Sequence, residues 1–159
     1  MKYSVEDERV PQSTFSPGVV ESKEYLLRWH FHPEHFRDGN ILPSAITTTD
    51  LAKNGLSTDR YQYASKERIK KEIEQMQERR PEQRDFALLC KFECSQVRDL
   101  QDTEGSRSFV VIDEALENNK AHASVYSAKE RSKGMLRKIR NDLLSALNEH
   151  FDIDDLFSS

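Results

Sequence analysis

Apolar residues fall into short runs along this chain, and their spacing assigns most of the elements. Tyr25-Leu-Leu-Arg-Trp-His-Phe31 is an aromatic-rich run of strand length, ended at His32-Pro33 because proline removes a ladder donor. Pro33 to Asp38 then reads as a turn or single helical turn closed by Gly39. Asn40-Ile-Leu-Pro-Ser-Ala-Ile46 reads as a short edge strand interrupted by Pro43. The clearest strand signal covers residues 86–97, where Phe86-Ala-Leu-Leu-Cys90 is continuously apolar and the following residues alternate. Residues 108–112 and 121–126 give two more strands, with a short helix or loop between them.

Two stretches have helical spacing. Residues 65–80 begin on Ser65 as a cap and end before Pro81, but Ile69, Ile73 and Met76 give only a narrow apolar stripe on a charged surface. Further on, Ser127-Ala-Lys-Glu130 has the form of a capping box, and Met135, Leu136, Ile139, Leu143, Leu144 and Leu147 follow on one face. The order of elements predicts an α+β fold: a small, mainly antiparallel sheet, a charged middle helix and an amphipathic C-terminal helix. Residues 1–18 read as a flexible arm, 19–150 as one domain and 151–159 as an acidic tail. Residues 47–63 read as a loop, with turn signals at Thr47-Thr-Thr-Asp50 and Asn54-Gly55, and a loop of that length suggests a role.

Composition narrows the picture. The 159 residues suffice for one core without a disulfide or metal, and 36% apolar against 33% charged residues is a polar balance. With no apolar leader and no membrane-length apolar run, the expectation is a cytoplasmic protein with no membrane contact. Cys90 and Cys94, spaced C-x3-C in a strand-like run, are expected to stay reduced. A net charge of −4 argues against a surface that grips nucleic acid throughout. The charge is uneven, however: six cations between Lys129 and Arg140 face only Glu130, and Glu149, Asp152, Asp154 and Asp155 follow.

Three clusters could carry chemistry. Arg28, His30 and His32 alternate on one strand face, where a cation and two imidazoles could meet a ligand. His30-Phe-His32 could also begin a metal site completed by His35, Glu34, His122 or a cysteine. With no second spaced cluster, and with Arg28 on the same face, the reading adopted is that no metal is held. Asp59 and Arg60 follow Ser57 in the predicted loop, where an Arg fork matches a carboxylate or phosphate. His122 and Ser124 share a strand face just before the predicted helix N-terminus, a position that favours anions.

Leu27-Arg28, His32-Pro-x-His35, Gly39, Pro43-Ser-Ala45, Gly55-Leu-Ser57, Asp59-Arg60 and His122-Ala-x-Val125 together resemble a group of small bacterial proteins with no activity attached. The resemblance covers roughly residues 24–60 and 118–140 and implies that these polar residues are neighbours. Two fainter echoes accompany it. His122-Ala-Ser124 matches one of the paired His-x-Ser/Thr motifs of 2H phosphoesterases, while His30-Phe-His32 departs from the second. The first half is similar to ADP-ribosyltransferase-like folds, although Glu72-Ile-Glu74, the nearest acidic pair, falls in the predicted helix.

Two functions follow as expectations. In the first, a small bacterial domain binds, and could act on, an anionic phosphate- or nucleotide-bearing ligand: Arg28, Arg60, Ser57 and Ser124 hold it, and His32, His35, His122 and Asp59 supply acid–base chemistry, with no cofactor specified. In the second, the chain is a non-catalytic subunit or adaptor of a bacterial assembly such as a defence or toxin–antitoxin complex. That adaptor would dock a protein partner through the tail Asp152-Ile-Asp-Asp-Leu-Phe157.

Overall fold

A computed structural model describes residues 2–158. Five strands, β1 (Tyr25–Pro33), β4 (Leu56–Arg60), β5 (Arg84–Glu93), β6 (Phe109–Asp113) and β7 (His122–Ser127), form one antiparallel sheet in the order β5-β1-β4-β7-β6. A small hairpin of β2 (Phe36–Arg37) and β3 (Asn40–Ile41) follows β1, turned by Asp38 and Gly39 at positive φ. The helices are α1 (Lys66–Arg79), α2 (Cys94–Arg98), α3 (Lys133–Ala146) and the short α4 (Ile153–Leu156). The fold is α+β, as the element order predicts.

Strand alternation divides the apolar residues between two faces. On one face Leu26, Leu56, Phe92, Phe109, Val111, Ala123 and Val125 pack with Leu136, Ile139, Leu143, Leu144 and Leu147 from or beside α3, which buries the predicted helix face. Burying several such side chains stabilises by about 1.5–3 kcal/mol each. The opposite face is covered only at its ends. Leu27 and Leu89 lie under Ile69 of α1 and residues of α4, while Val110, Ile112 and Tyr126 lie under Tyr3 and Val5.

Several expectations need correction. The stretch read as a loop over 47–63 contains a π-helical turn at Asp50–Asn54 and the central strand β4. Leu56-Ser-Thr-Asp-Arg60 holds one apolar side chain, so its burial rests on polar partners instead: Thr58 Oγ1 donates to Ala123 O at 3.0 Å, and Arg60 is ion-paired. The strand predicted to Val97 stops at Glu93, because Cys94 and Val97, both buried, have the spacing of a helix rather than a strand. Only Asn40–Ile41 of the predicted edge strand pairs, and Pro43–Ala45 is a 3₁₀ turn, as suits a proline at its start.

The cap of α3 also lies further on. Ser127 ends β7 and donates to Lys129 O at 2.7 Å, whereas Ser132 Oγ accepts the Met135 N–H at 3.2 Å. Both chain ends pack on the body. Glu8, in a 3₁₀ turn at Val5–Arg9, is buried against Arg98 and Arg107. Phe151 exchanges backbone hydrogen bonds with Leu89 at 2.7 and 2.8 Å, and Leu156 and Phe157 lie over the core beneath α1.

Candidate functional site

The site begins where the sheet splits. β1 and β4 pair at Leu26↔Arg60 and Leu27↔Asp59, and past these residues the two strands part. Arg28 fills the gap. Its Nη1 donates to Ser57 O at 2.8 Å and its Nη2 to Ala45 O at 2.7 Å, while its buried Nε has no hydrogen-bond partner among the described residues. No carboxylate stands within ion-pair distance of Arg28 among the described residues. Burial pushes its pKa down, with Cys90 and Asp50 pulling the other way.

Above the split lies a cleft of about 1350 Å³, walled by α1, by the segment from Pro33 to Thr47, by β4 and by the turn before β7. It holds Arg28, Arg37, Arg68, Lys71, Arg79, Arg80 and Arg84 against Glu34, Asp50, Asp59, Glu72 and Glu82, so cations are in excess. Several are neutralised in place: Arg84 Nε donates to Glu34 at 3.0 Å, Arg68 pairs with Glu72 at 2.6 Å, and Arg68 also pairs with Asp59. Lys71 and Arg79 make no ion pair among the described residues and stand exposed on the α1 rim.

The structure brings five of the eight predicted site residues to this cleft: Arg28, His35, Ser57, Asp59 and His122. Asp59 and His122 are direct partners across β4 and β7. Asp59 also accepts from Asn119 Nδ2 at 3.2 Å; burial pushes its carboxyl up against the opposing charge of Arg68. His35 is engaged at both nitrogens, with Nδ1 accepting the Phe31 N–H at 3.0 Å and Nε2 lying 2.9 Å from Glu34. That leaves it shaping the wall. Among the described residues His122 has only Ser124 Oγ near Nε2, at 3.4 Å, so it is the cleft imidazole with a nitrogen to spare.

Three predicted residues lie elsewhere. Arg60 follows Asp59 and therefore points to the opposite face, where it is 1% exposed and meets Glu24 at 2.7 and 2.8 Å and the carbonyls of Gly18 and Val19. His32 stacks on Phe86 with centroids 4.9 Å apart and lies 3.4 Å from Asp85. Ser124 is buried behind His122.

The cations missed from the sequence are those of α1. Arg68, Lys71, Gln75 and Arg79 recur at helical spacing beside the narrow apolar stripe, and this second, polar stripe is the one facing the cleft. The predicted basic segment, by contrast, is partly spent on structure: Arg131 donates to Asp102 at 2.6 Å and to Arg107 O at 2.9 Å. Among the described residues no helix is long and apolar enough to cross a membrane. No protein-family profile, curated protein or solved structure matches the chain.

Proposed function

We propose that the cleft binds an anionic, phosphate-bearing ligand of nucleotide size, as a cytoplasmic bacterial domain would. The observation that carries this reading is Arg28, a guanidinium held at the cleft floor by two carbonyls with no carboxylate in ion-pair contact among the described residues. A buried cation without a counter-charge is costly, and a ligand anion would compensate it. Lys71 and Arg79 on the rim would steer the same anion inward. The volume exceeds what a free phosphate needs and falls above the roughly 300–1,000 Å³ of common small-molecule sites.

If the ligand is also transformed, His122 is the group placed to move a proton, with Asp59 beside it and Ser57 nearby on the same strand. His35 has no free nitrogen for that task. The adaptor reading rested on the N-terminal arm, on α1 and on the acidic tail, and all three are engaged within the chain, which favours the cleft.

Calorimetry with inorganic phosphate and nucleoside mono-, di- and triphosphates tests the proposal. Lys71→Ala and Arg79→Ala, both exposed, are expected to keep the melting temperature and weaken nucleotide binding by roughly 1.5–3 kcal/mol where a charge-assisted bond is lost. Affinity should also fall with salt. No heat with any phosphate compound, or equal binding by wild type and the double variant, overturns it.

A further inference from the structure

On the same face of β1 as Arg28, two residues further along the strand, three potential metal ligands converge. His30 of β1, Cys90 of β5 and His150, just before the residue that bridges to β5, place one donor atom each within 4.8 Å of the others. His30 is fully buried. Its Nδ1 lies 3.1 Å from His150 Nε2, and its Nε2 is buried with no hydrogen-bond partner among the described residues. Two neutral imidazoles can share only one proton in that contact, so the pair leaves buried polar capacity unused.

We infer that His30, Cys90 and His150 form a one-thiolate, two-imidazole site for a borderline-soft divalent cation of the Zn²⁺ class. Zinc–nitrogen bonds of about 2.0–2.1 Å in tetrahedral geometry put two ligand nitrogens roughly 3.3 Å apart, close to the separation seen here. Hard cations such as Mg²⁺ and Ca²⁺ prefer oxygen donors, and none of the three groups offers one. Binding would replace the Cys90 thiol proton with the metal, releasing that proton to solvent, and the thiolate would offset one of the ion's two charges. This matters because Arg28, paired across the strands with Cys90, is a nearby cation; its guanidinium, however, is directed to Ser57 and Ala45.

Burial, joined at His30 by the charges of Arg28, His150 and His35, lowers the pKa of His30 and His150, and burial pushes the Cys90 thiol up to about 12. A small pocket of about 110 Å³, lined by Cys90, Gln96 and residues 146–149, lies beside Cys90. His35, engaged at both nitrogens, leaves the fourth position to water or an outside ligand. The sequence pairs His30 with His32, whereas the fold supplies His150 instead, from the opposite end of the chain. Metal binding would therefore fasten the C-terminal segment to the sheet.

The test uses the full chain, freed of metal by chelator and titrated with Zn²⁺ against a chromophoric chelator, then with Co²⁺ as the spectroscopic substitute. Expected are one equivalent bound per chain, a thiolate-to-cobalt charge-transfer band, and a metal-dependent rise in melting temperature. Cys90→Ser should abolish the band, and His150→Ala should weaken Zn²⁺ binding beyond the roughly 10–100-fold of an outer-shell change. His32→Ala should behave as wild type. His150 is only half-buried near the chain end, so that variant stays informative if Cys90→Ser fails to fold. Absence of stoichiometric Zn²⁺ and Co²⁺ binding overturns the site, as does binding that His150→Ala leaves unchanged.

Discussion

Gly55 sits at φ +87°, immediately before β4, with Tyr126 and Ser124 closed over it. A Cβ there would lie 2.7 Å from the Tyr126 Cζ and hydroxyl and 2.8 Å from Ser124 Cβ, while Tyr126 is itself held by Glu114 and Asn54. Gly55→Ala therefore combines backbone strain with overpacking and is expected to cost roughly 2–5 kcal/mol in denaturant unfolding. Gly39, at φ +78° with nothing within 4 Å, isolates the backbone part, so Gly39→Ala should cost only about 1–2 kcal/mol. Equal losses would mean that Tyr126 yields without cost. Residue-level legibility in the sequence had the same limit. Arg28, Asp59 and His122 were legible as polar residues in unusual company, but the face each points to depends on strand register. Sequence pattern alone groups Asp59 and Arg60 as one loop cluster; on a strand, neighbours point oppositely, which sends Arg60 to Glu24.

At the scale of elements, legibility followed burial by apolar residues. β1, β6 and β7, α1 and the apolar face of α3 announced themselves, because hydrophobic spacing reports packing directly. β4 did not, since its buried positions Thr58, Asp59 and Arg60 are satisfied by hydrogen bonds and ion pairs that no periodicity records. The tail misled for a related reason. Its acidic residues face solvent or the α1 lysines, with Asp154 2.8 Å from Lys66 and 3.0 Å from Lys70, while Ile153, Leu156 and Phe157 turn inward on Leu27, Ile69 and Leu89. The exposed ion pairs contribute little, so the apolar contacts hold the segment. Deleting residues 152–159 should cost roughly 2–4 kcal/mol and lower the melting temperature by about 5–15 °C. A change of only a degree or two would show that α4 does not stay on the sheet.

For the whole molecule, the decisive contacts are buried carboxylates that tie distant segments to the sheet. Glu8 is the clearest. Its carboxylate, 7% exposed, accepts from Arg98 Nε at 2.8 Å, Arg107 Nη2 at 3.0 Å and the Val111 N–H at 2.7 Å, joining the N-terminal turn to α2 and β6. Burial alone would raise its pKa; the bond from Arg107, the Val111 N–H and the charges of both arginines outweigh that and hold it below the ordinary value of 4.5. A carboxyl depressed in the folded state contributes fully above its unfolded pKa and loses that contribution as pH falls through the folded value. Glu8→Gln keeps the shape but removes the charge, leaving Arg98 and Arg107 without their counter-ion. It is expected to lower stability at pH 7 by roughly 2–4 kcal/mol. Other titrating groups act alike in wild type and variant and cancel in the difference. The gap between the two should therefore stay constant from pH 7 to about pH 4.5 and narrow below it, as measured by urea unfolding across that range. A gap as wide at pH 3 as at pH 7 would show that the charge of Glu8 contributes nothing, and that the N-terminal turn is held by Tyr3 and Val5 against Val110, Ile112 and Tyr126 alone.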